Sequence, residues 1–343
     1  MLDPIVDFIA SMQKDGIVRT VPMDSYKAVE IREDNFHTLE RMEPKKRIFA
    51  VDGGSSIIID GASWIIAKLK IAVVGYAGKK RVFESVQDVH FGGILQEGKL
   101  VAMMHPVDRE LLNAKIVVNE VDDIPNIFRA LMEWKAAIKL MDQLEAGDIL
   151  LMDSSFMVAL PDQITQYELM RRAFTKAFEK GIIIVGIPKT SRLKTNIGRS
   201  LLGYLYELSQ KKFAGKMWYY YPIFKGEMYA KKDLGTNYVV KFHENAKYCY
   251  RVEFEKQMHS YMDEKWVKDV LGSIAYYCND PELLGYPYPL LRVDKLARIG
   301  EHEKKSEVRK VKFIAKSKGL DFVEYDEKAT NMHSELDSRM YRD

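Results

Sequence analysis

Two short stretches decide the fold: AVDGGSS at residues 50–56 and LLMDSS at residues 150–155. In each stretch an apolar run ends in one aspartate, and small residues follow it. Such a run predicts a buried strand, so Asp52 and Asp153 lie where a strand leaves the core. Two such strand ends side by side would form a cation site. On the plainer interpretation both aspartates cap turns, as aspartates after strands commonly do.

The elements around these stretches follow the order three strands, helix, strand, helix, strand. This order is the connectivity of the ribonuclease-H-like α/β fold, whose first and fourth strands are neighbours in the middle of the sheet. We therefore predict a mixed five-stranded sheet flanked by helices, with Asp52 beside Asp153. The predicted strands are residues 47–51, 64–76, 80–91, 148–152 and 181–187, and the predicted helices are residues 124–145 and 161–180.

The rest of the chain is predicted to add further strands and C-terminal helices. No linker rich in Pro, Gly or Ser separates the parts, so we expect one domain over residues 1–343. Its parts are a core at about 47–190, an extension at about 195–260 and a helical part at about 263–320. Additional strands are expected at 216–221, 237–242 and 248–254, and helices at 200–212, 263–277 and 289–299, before a mixed-charge tail from Glu301.

Composition excludes several classes of protein. A net charge of +3 on 343 residues means that any nucleic-acid binding must come from local patches. Two cysteines, Cys249 and Cys278, are too few for a disulfide framework or a thiolate zinc site. The N-terminal residues do not resemble a signal peptide, and no segment has the length and apolarity of a membrane span. We expect a cytoplasmic protein with no membrane partner.

Acidic residues are the main candidates for chemistry. Carboxylates a few ångströms apart repel one another unless a cation lies between them, and hard oxygen ligands suit Mg²⁺ or Mn²⁺. Glu133, on the helix that precedes the strand of Asp153, could supply a third carboxylate. The alternative for Glu133 is a solvated acid on a helix surface.

Two further segments supply candidate residues. The run GIPKTSRL at residues 186–193 leaves the last core strand, and Lys189 could contact phosphate oxygens. The turn GYPYPL at residues 285–290 could present Tyr286 for stacking or hydrogen bonding, and Asp294 on the following helix could complete a cation site. An ordinary surface lysine and a turn that only packs are the simpler alternatives.

Together these segments resemble the NurA family of nucleases. The resemblance rests on VDGGSS with Asp52, the helix of Glu133 that leads into LLMDSS with Asp153, IPKTSRL with Lys189, and GYPYPLLRVDKLARI from residue 285. It covers most of the chain, and the order and spacing of the segments make it specific.

The resemblance implies a Mn²⁺-dependent DNA nuclease with 5′–3′ exonuclease or endonuclease activity, or both. It further implies a homodimer that works with a HerA-type hexameric helicase in end resection and double-strand-break repair. By motif position it assigns metal ligation to Asp52, Glu133 and Asp153, with Tyr286 as an assisting residue. The family often has a histidine near the position of Asp294, which leaves the role of Asp294 open.

The mechanism that we hypothesise is two-metal phosphodiester hydrolysis. Asp52 would bridge two ions, Mn²⁺ or Mg²⁺, and Asp153 and Glu133 would each complete one half of the shell. Lys189 would neutralise charge that develops on the phosphate oxygens. The polarity of cleavage and the strand preference stay open at this point.

Two rival functions are compatible with the same residues. DGGSS also resembles the first phosphate loop of actin-like ATPases and sugar kinases, although no glycine-rich adenosine loop follows Gly186. The other rival is a non-catalytic adaptor that docks to a motor ATPase and DNA.

Overall fold

The computed structural model describes residues 2–11, 17–21, 27–118, 120–158, 163–225 and 234–321, together with residues 323, 325, 326 and 329. The strands within these ranges are β1 (Phe36–Thr38), β2 (Ile48–Asp60), β3 (Trp64–Ala77), β4 (Lys80–Gln96), β5 (Lys99–His105), β6 (Ile149–Met152), β7 (Ile183–Gly186), β8 (Trp218–Tyr220), β9 (Gly235–Lys241) and β10 (Tyr250–Glu255). The α-helices are α1 (Asp3–Ser11), α2 (Arg109–Leu112), α3 (Ile124–Leu140), α4 (Ile164–Lys180), α5 (Leu201–Ser209), α6 (Lys256–Ser260), α7 (Glu264–Ala275), α8 (Tyr288–Ala297) and α9 (Glu301–Ser317).

These ten strands form one sheet in the order β1-β8-β9-β10-β7-β6-β2-β3-β4-β5. In its central part, β4-β3-β2-β6-β7, strands β2, β6 and β7 are parallel, β3 is antiparallel to β2, and β4 is antiparallel to β3. This is the predicted ribonuclease-H-like connectivity, so the fold class is confirmed. Val51 lies opposite Met152 in the ladder between β2 and β6. Asp52 and Asp153 are therefore the next residues along two adjacent parallel strands.

Both faces of the central sheet are covered, because successive side chains of a strand point to opposite faces. From β2, Phe49 and Val51 pack into the core that includes α3 and α4. Ile48 and Ala50 pack into the core that includes α7 and α8. Burial on both faces explains why β6 is an uninterrupted apolar run.

The additional strands extend the same sheet on both sides. Beyond β7, strands β10, β9, β8 and β1 add on successively in antiparallel pairs, and β5 adds to the far side of β4. The sequence pattern predicted β8, β9 and β10 but missed β1 and β5. Strand β5 is an edge strand whose side chains are mostly exposed or half-buried, so its apolar pattern is weak.

Helix α9 forms the first part of the predicted mixed-charge tail. Its Glu303 forms ion pairs with two lysines of β3: Oε1 lies 2.7 Å from Lys68 Nζ, and Oε2 lies 2.9 Å from Lys70 Nζ. Lys68 is buried and also pairs with Asp88 of β4 at 2.8 Å. Acidic residues of the tail thus fasten it to the sheet, whereas its exposed side chains include Lys305, Arg309, Lys310, Lys316 and Lys318.

Some predicted boundaries differ from the structure, and one lies outside its described part. The first core strand was predicted over residues 47–51, but β2 continues through Asp52 and the glycine pair to Asp60. Gly53 and Gly54 pair with Ile71 and Lys70 of β3, so they belong to the ladder and not to a turn. The predicted start of the second core helix, at Pro161, lies outside the described residues, and α4 is described from Ile164.

The glycines of β2 allow two helices to approach the strand closely. A Cβ atom on Gly53 would lie 2.8 Å from Cγ of Arg129 and from Oε1 of Glu133, both on α3. A Cβ atom on Gly54 would lie 2.1 Å from the carbonyl oxygen of Ala297, at the end of α8. Side chains at these positions would push both helices away. The glycine pair thus lets Glu133 approach Asp52, and it lets α8, the helix of Asp294, lie close against β2.

A substitution tests this close packing. We expect Gly54→Ala to lower the free energy of unfolding by about 2–3 kcal/mol, because a backbone carbonyl of α8 must move to admit the methyl group. Gly92→Ala in β4 is the matched control, since its Cβ would meet only the carbonyl oxygen of Ile65, at 4.0 Å. Urea unfolding of both variants measures the difference, and equal losses would contradict the interpretation.

Candidate active site

The candidate site lies at the carboxyl ends of the parallel strands. Asp52 is within β2, Asp153 directly follows β6, and Lys189 follows β7 by three residues. Parallel strands present their carboxyl ends at the same edge of a sheet, so residues far apart in sequence meet there. Helix α3 brings Glu133 to this edge and helix α8 brings Asp294. We call Asp52, Glu133, Asp153 and Asp294 the acidic cluster.

The ammonium group of Lys189 lies between three of these carboxylates. Its Nζ atom is 3.0 Å from Oδ2 of Asp52 and 2.8 Å from Oδ1 of Asp294, and it also forms an ion pair with Oδ2 of Asp153. The side chains of Asp52 and Asp153 are each only 4% exposed, whereas that of Lys189 is 44% exposed. A cation that reaches in from solvent therefore neutralises two buried acids.

Backbone amides orient the two buried aspartates in the same way. The amide of Gly53 donates a hydrogen bond to Oδ1 of Asp52 at 2.8 Å. The amide of Lys189 donates to Oδ1 of Asp153 at 3.1 Å. In both residues one carboxylate oxygen is thus fixed by the main chain, and the other, Oδ2, faces the ammonium.

Glu133 has a separate cationic partner. Its Oε1 accepts a short hydrogen bond from Nη1 of Arg129, one helical turn earlier on α3. The Glu133 side chain is 4% exposed, so it is not the solvated surface acid of the alternative interpretation. Sequence analysis did not single out Arg129, although its spacing of four residues from Glu133 is the spacing of helical ion pairs.

Burial and mutual repulsion raise the pKa values of the acids. Burial raises the pKa of Glu133 to about 8; Arg129 opposes this increase, and the charges of Asp52 and Asp153 add to it. Burial raises the pKa of Asp153 to about 6 against the attraction of Lys189. It also raises the pKa of Asp52. The cluster is thus short of positive charge even with both side-chain cations in place.

The surroundings of Lys189 favour its charged form, whereas those of the acids disfavour theirs. Burial acts to lower its pKa, but attraction by Asp153 and Asp52 outweighs this effect, and the pKa of the ammonium is raised. The group therefore stays charged throughout the physiological range. In this structure it acts as a counterion to the carboxylates.

Tyr286 lies beside the same carboxylates. It is 3% exposed, and its hydroxyl has no hydrogen-bond partner among the described residues. Burial raises the pKa of this hydroxyl, and the charges of Asp153, Asp52 and Asp294 raise it further. The phenol thus stays protonated and can donate a hydrogen bond.

The donor set fits a hard divalent cation. No group of three or more His, Cys, Asp or Glu residues in the described ranges is already arranged to hold a metal ion. The ammonium of Lys189 nevertheless marks a position where three carboxylates converge on one positive charge, with Glu133 nearby. If this side chain moves aside, the same oxygen atoms can bind Mn²⁺ or Mg²⁺.

The cluster is open to solvent through a cleft. A cavity of about 870 Å³ is lined by Asp52, Glu133, Asp153 and Lys189, together with residues of α3 and of the segment that follows β6. A cavity of this size admits a substrate group larger than water or a metal ion.

The sheet order and the acidic cluster define a class, the ribonuclease-H-like proteins with one carboxylate on the first core strand and another at the end of the fourth. Within this class the chain belongs to the NurA family, since the NurA domain matches residues 46–299, more than half of the 343 residues. The resemblance stated from sequence is thereby confirmed, and it supports a nuclease. A comparison with curated proteins finds no match.

Solved structures similar to the chain include ribonuclease-H-like nucleases. Human ENDOV is 13% identical, with a TM-score of 0.38 over 90% of this chain and 100% of the other. Endonuclease V of Ciona intestinalis, bound to a DNA that contains inosine, is 14% identical, with a TM-score of 0.37 over 80% and 92%. Argonaute of A. aeolicus is 11% identical, with a TM-score of 0.34 over 76% and 29%. Because these scores are below 0.5, the fold is assigned from the strand order.

Glu133 should make the stability of the metal-free protein depend on pH. Its pKa is about 8 in the folded chain against an ordinary value of 4.5, so the unfolded chain loses this proton first and stability falls as pH rises between these values. We expect Glu133→Gln to flatten this dependence and to add about 1–3 kcal/mol to the unfolding free energy at pH 8.5.

Urea unfolding in EDTA between pH 4.5 and 8.5 measures this effect. Glu301→Gln, at an exposed position on α9, is the control and should follow the wild-type curve. Parallel curves for wild type and Glu133→Gln would show that the carboxylate of Glu133 is not destabilised by its surroundings.

Proposed function

We propose that the protein is a metal-dependent DNA nuclease that hydrolyses phosphodiester bonds. The observation that carries the proposal is the convergence of Asp52, Asp153 and Asp294 on one cation, beside Glu133, at the edge of a ribonuclease-H-like sheet. Membership of the NurA family supports the same function.

Asp52, Glu133 and Asp153 would hold the metal, with Mn²⁺ or Mg²⁺ as the ion and two ions as the expected number. When bound, the ions would supply Lewis acidity and would ease deprotonation of the water that attacks phosphorus. The three carboxylates come from a central strand, a strand end and a buried helix face. Their separations are therefore set by the packed core and not by mobile loops.

The chain prepares these ligands through its own hydrogen bonds. The amides of Gly53 and Lys189 hold Oδ1 of Asp52 and of Asp153, and both Oδ2 atoms point to the cation position. Arg129 holds Glu133 in the same cleft. Preorganisation of this kind removes the cost of ordering the ligands when the ions and the substrate arrive.

Lys189 has a contact in the metal-free structure that was not predicted. We expected it to contact phosphate oxygens, but its ammonium lies among the carboxylates. We propose that it is the resident counterion of the cluster, which a divalent ion displaces. Once displaced, it can turn to the phosphate, so the two roles are successive.

Asp294 and Tyr286 complete the proposed machinery from the C-terminal part of the chain. Asp294 binds the same ammonium as the two buried aspartates, although the family often has a histidine near this position. We propose that Asp294 takes part in cation binding. Tyr286 would assist by donating its unpartnered hydroxyl to the bound nucleotide.

A finer activity can be proposed on the basis of the family. We propose 5′–3′ exonuclease or endonuclease action at DNA ends, as a homodimer in the cytoplasm that works with a HerA-type hexameric helicase in end resection and double-strand-break repair. None of the helices in the described part of the chain is long and apolar enough for a membrane crossing, and we propose no membrane partner.

The structure supports the two rival functions less well than it supports a nuclease. A phosphate loop needs a turn whose amides surround a phosphate, but Gly53 and Gly54 pair within a continuous ladder between β2 and β3. An adaptor that only docks needs no buried acids, whose burial raises their pKa values and costs stability.

Asp52→Asn tests the proposed function. We expect divalent-dependent cleavage of DNA to fall by at least about 100-fold, because the central ligand loses its charge. The fold should persist, since burial already disfavours the charge of Asp52. Cleavage of labelled duplex and single-stranded DNA with Mn²⁺ or Mg²⁺ is the assay, and Asp142→Asn at an exposed position is the control. Wild-type cleavage by the folded Asp52→Asn variant would refute the assignment.

Lys189→Met tests the counterion role. We expect Mn²⁺ to bind about tenfold more tightly to this variant without DNA, because no ammonium competes for the carboxylates. Cleavage should fall, since the ammonium can no longer turn to the phosphate. Isothermal titration with Mn²⁺ measures the affinity. The control is Lys295→Met, because Lys295 lies on the surface of α8 and pairs with Glu282. Unchanged or weaker binding would show that Lys189 does not occupy the metal position.

A further inference from the structure

A second cavity lies on the other side of Lys189 from the acidic cleft. Its volume is about 470 Å³, and Pro188 and Lys189 line both cavities. Asp294 and Tyr286 line the second cavity as well. A nucleotide whose phosphate lies at the acidic cluster is therefore within reach of this space with its sugar and base.

The walls of this cavity suit a flat, partly apolar group. They include Tyr248, Tyr250, Leu202 and Leu283. The rings of Tyr250 and Tyr286 pack together with centroids 5.4 Å apart. Tyr248 is 61% exposed, which leaves ring surface available to a ligand. Stacking on such aromatic surfaces is the usual way in which proteins hold a base of single-stranded nucleic acid.

Two buried polar groups of the cavity residues have no partner. Among the described residues, the hydroxyl of Tyr286 and the Nη2 atom of Arg251 make no hydrogen bond. Both residues are almost fully buried, with exposures of 3% and 4%. Nε of Arg251 is already bound to Asn237 Oδ1 at 2.7 Å, so the guanidinium is held in place. Buried donors without partners are costly, and a ligand with acceptors at its edge would satisfy them.

We propose that this cavity binds the base of the nucleotide whose phosphate lies at the acidic cluster. A base combines two apolar faces with acceptors along its edge, and it matches both the aromatic walls and the free donors. An apolar side chain of a protein partner would leave the donors unpaired, and a sugar would make little use of the rings. The proposal rests on the proposed nuclease function and adds a subsite to it.

Tyr248→Ala tests the proposal, with Tyr248→Phe as the variant that keeps the ring. The ligands are dGMP, whose purine has a large face and two edge acceptors, and 2-deoxyribose 5-phosphate, which has no base. Isothermal titration in Ca²⁺ measures binding without turnover. We expect wild type to bind dGMP at least about fivefold more tightly than the sugar phosphate. Tyr248→Ala should lose this preference, and Tyr248→Phe should retain most of it.

Tyr261→Ala, at another tyrosine that is 72% exposed, controls for the general loss of a surface ring and should behave as wild type. Equal affinity of wild type for the two ligands, or an unchanged preference in Tyr248→Ala, would overturn the subsite. A parallel cleavage assay separates the two proposals. A base preference that depends on Tyr248 in a protein without nuclease activity would support the cavity and refute the nuclease. An active nuclease without that preference would support the nuclease proposal and refute the base-binding cavity.

Discussion

Carboxylates that are nearly removed from water repel one another, and the ammonium of Lys189 offsets this repulsion. It binds Asp52, Asp153 and Asp294 together, and Arg129 does the same for Glu133. Even so, the pKa of Glu133 rises to about 8 and that of Asp153 to about 6, so the cluster remains short of positive charge. A site with this deficit costs stability in the metal-free chain and favours the binding of further cations. The same charge distribution therefore links the stability of the fold to its proposed chemistry.

The rest of the architecture keeps the acids close. The parallel pairing of β2 with β6 sets Asp52 beside Asp153, and the segment after β7 delivers Lys189. Gly53 and Gly54 let α3 and α8 lie against opposite faces of β2, which brings in Glu133 and Asp294. Each contribution comes from a different part of the chain. The site depends on the whole packed core, and the added strands beyond β7 supply β10, whose tyrosine and arginine line the second cavity.

Sequence reasoning identified the fold and most of the residues that meet at the site. The order of elements was enough for the ribonuclease-H-like class, because right-handed crossovers and buried parallel strands leave few alternatives. It ended the first core strand at residue 51, whereas β2 continues through the glycine pair to Asp60. The glycines allow close contact with two helices, which a local pattern does not record. Sequence reasoning also did not foresee that the ammonium of Lys189 lies among three carboxylates from other elements.

Local sequence by itself determined most of the strands and helices of the core, since apolar periodicity and small residues after a strand reflect short-range physics. It also determined which acids leave the core pattern. Only the tertiary structure decided that Asp294 joins the cluster, that Arg129 is the partner of Glu133, and that a second cavity lies beyond Lys189. These facts depend on the distances between side chains of separate elements. Such distances arise from packing the whole core, and no neighbouring residues in the chain encode them.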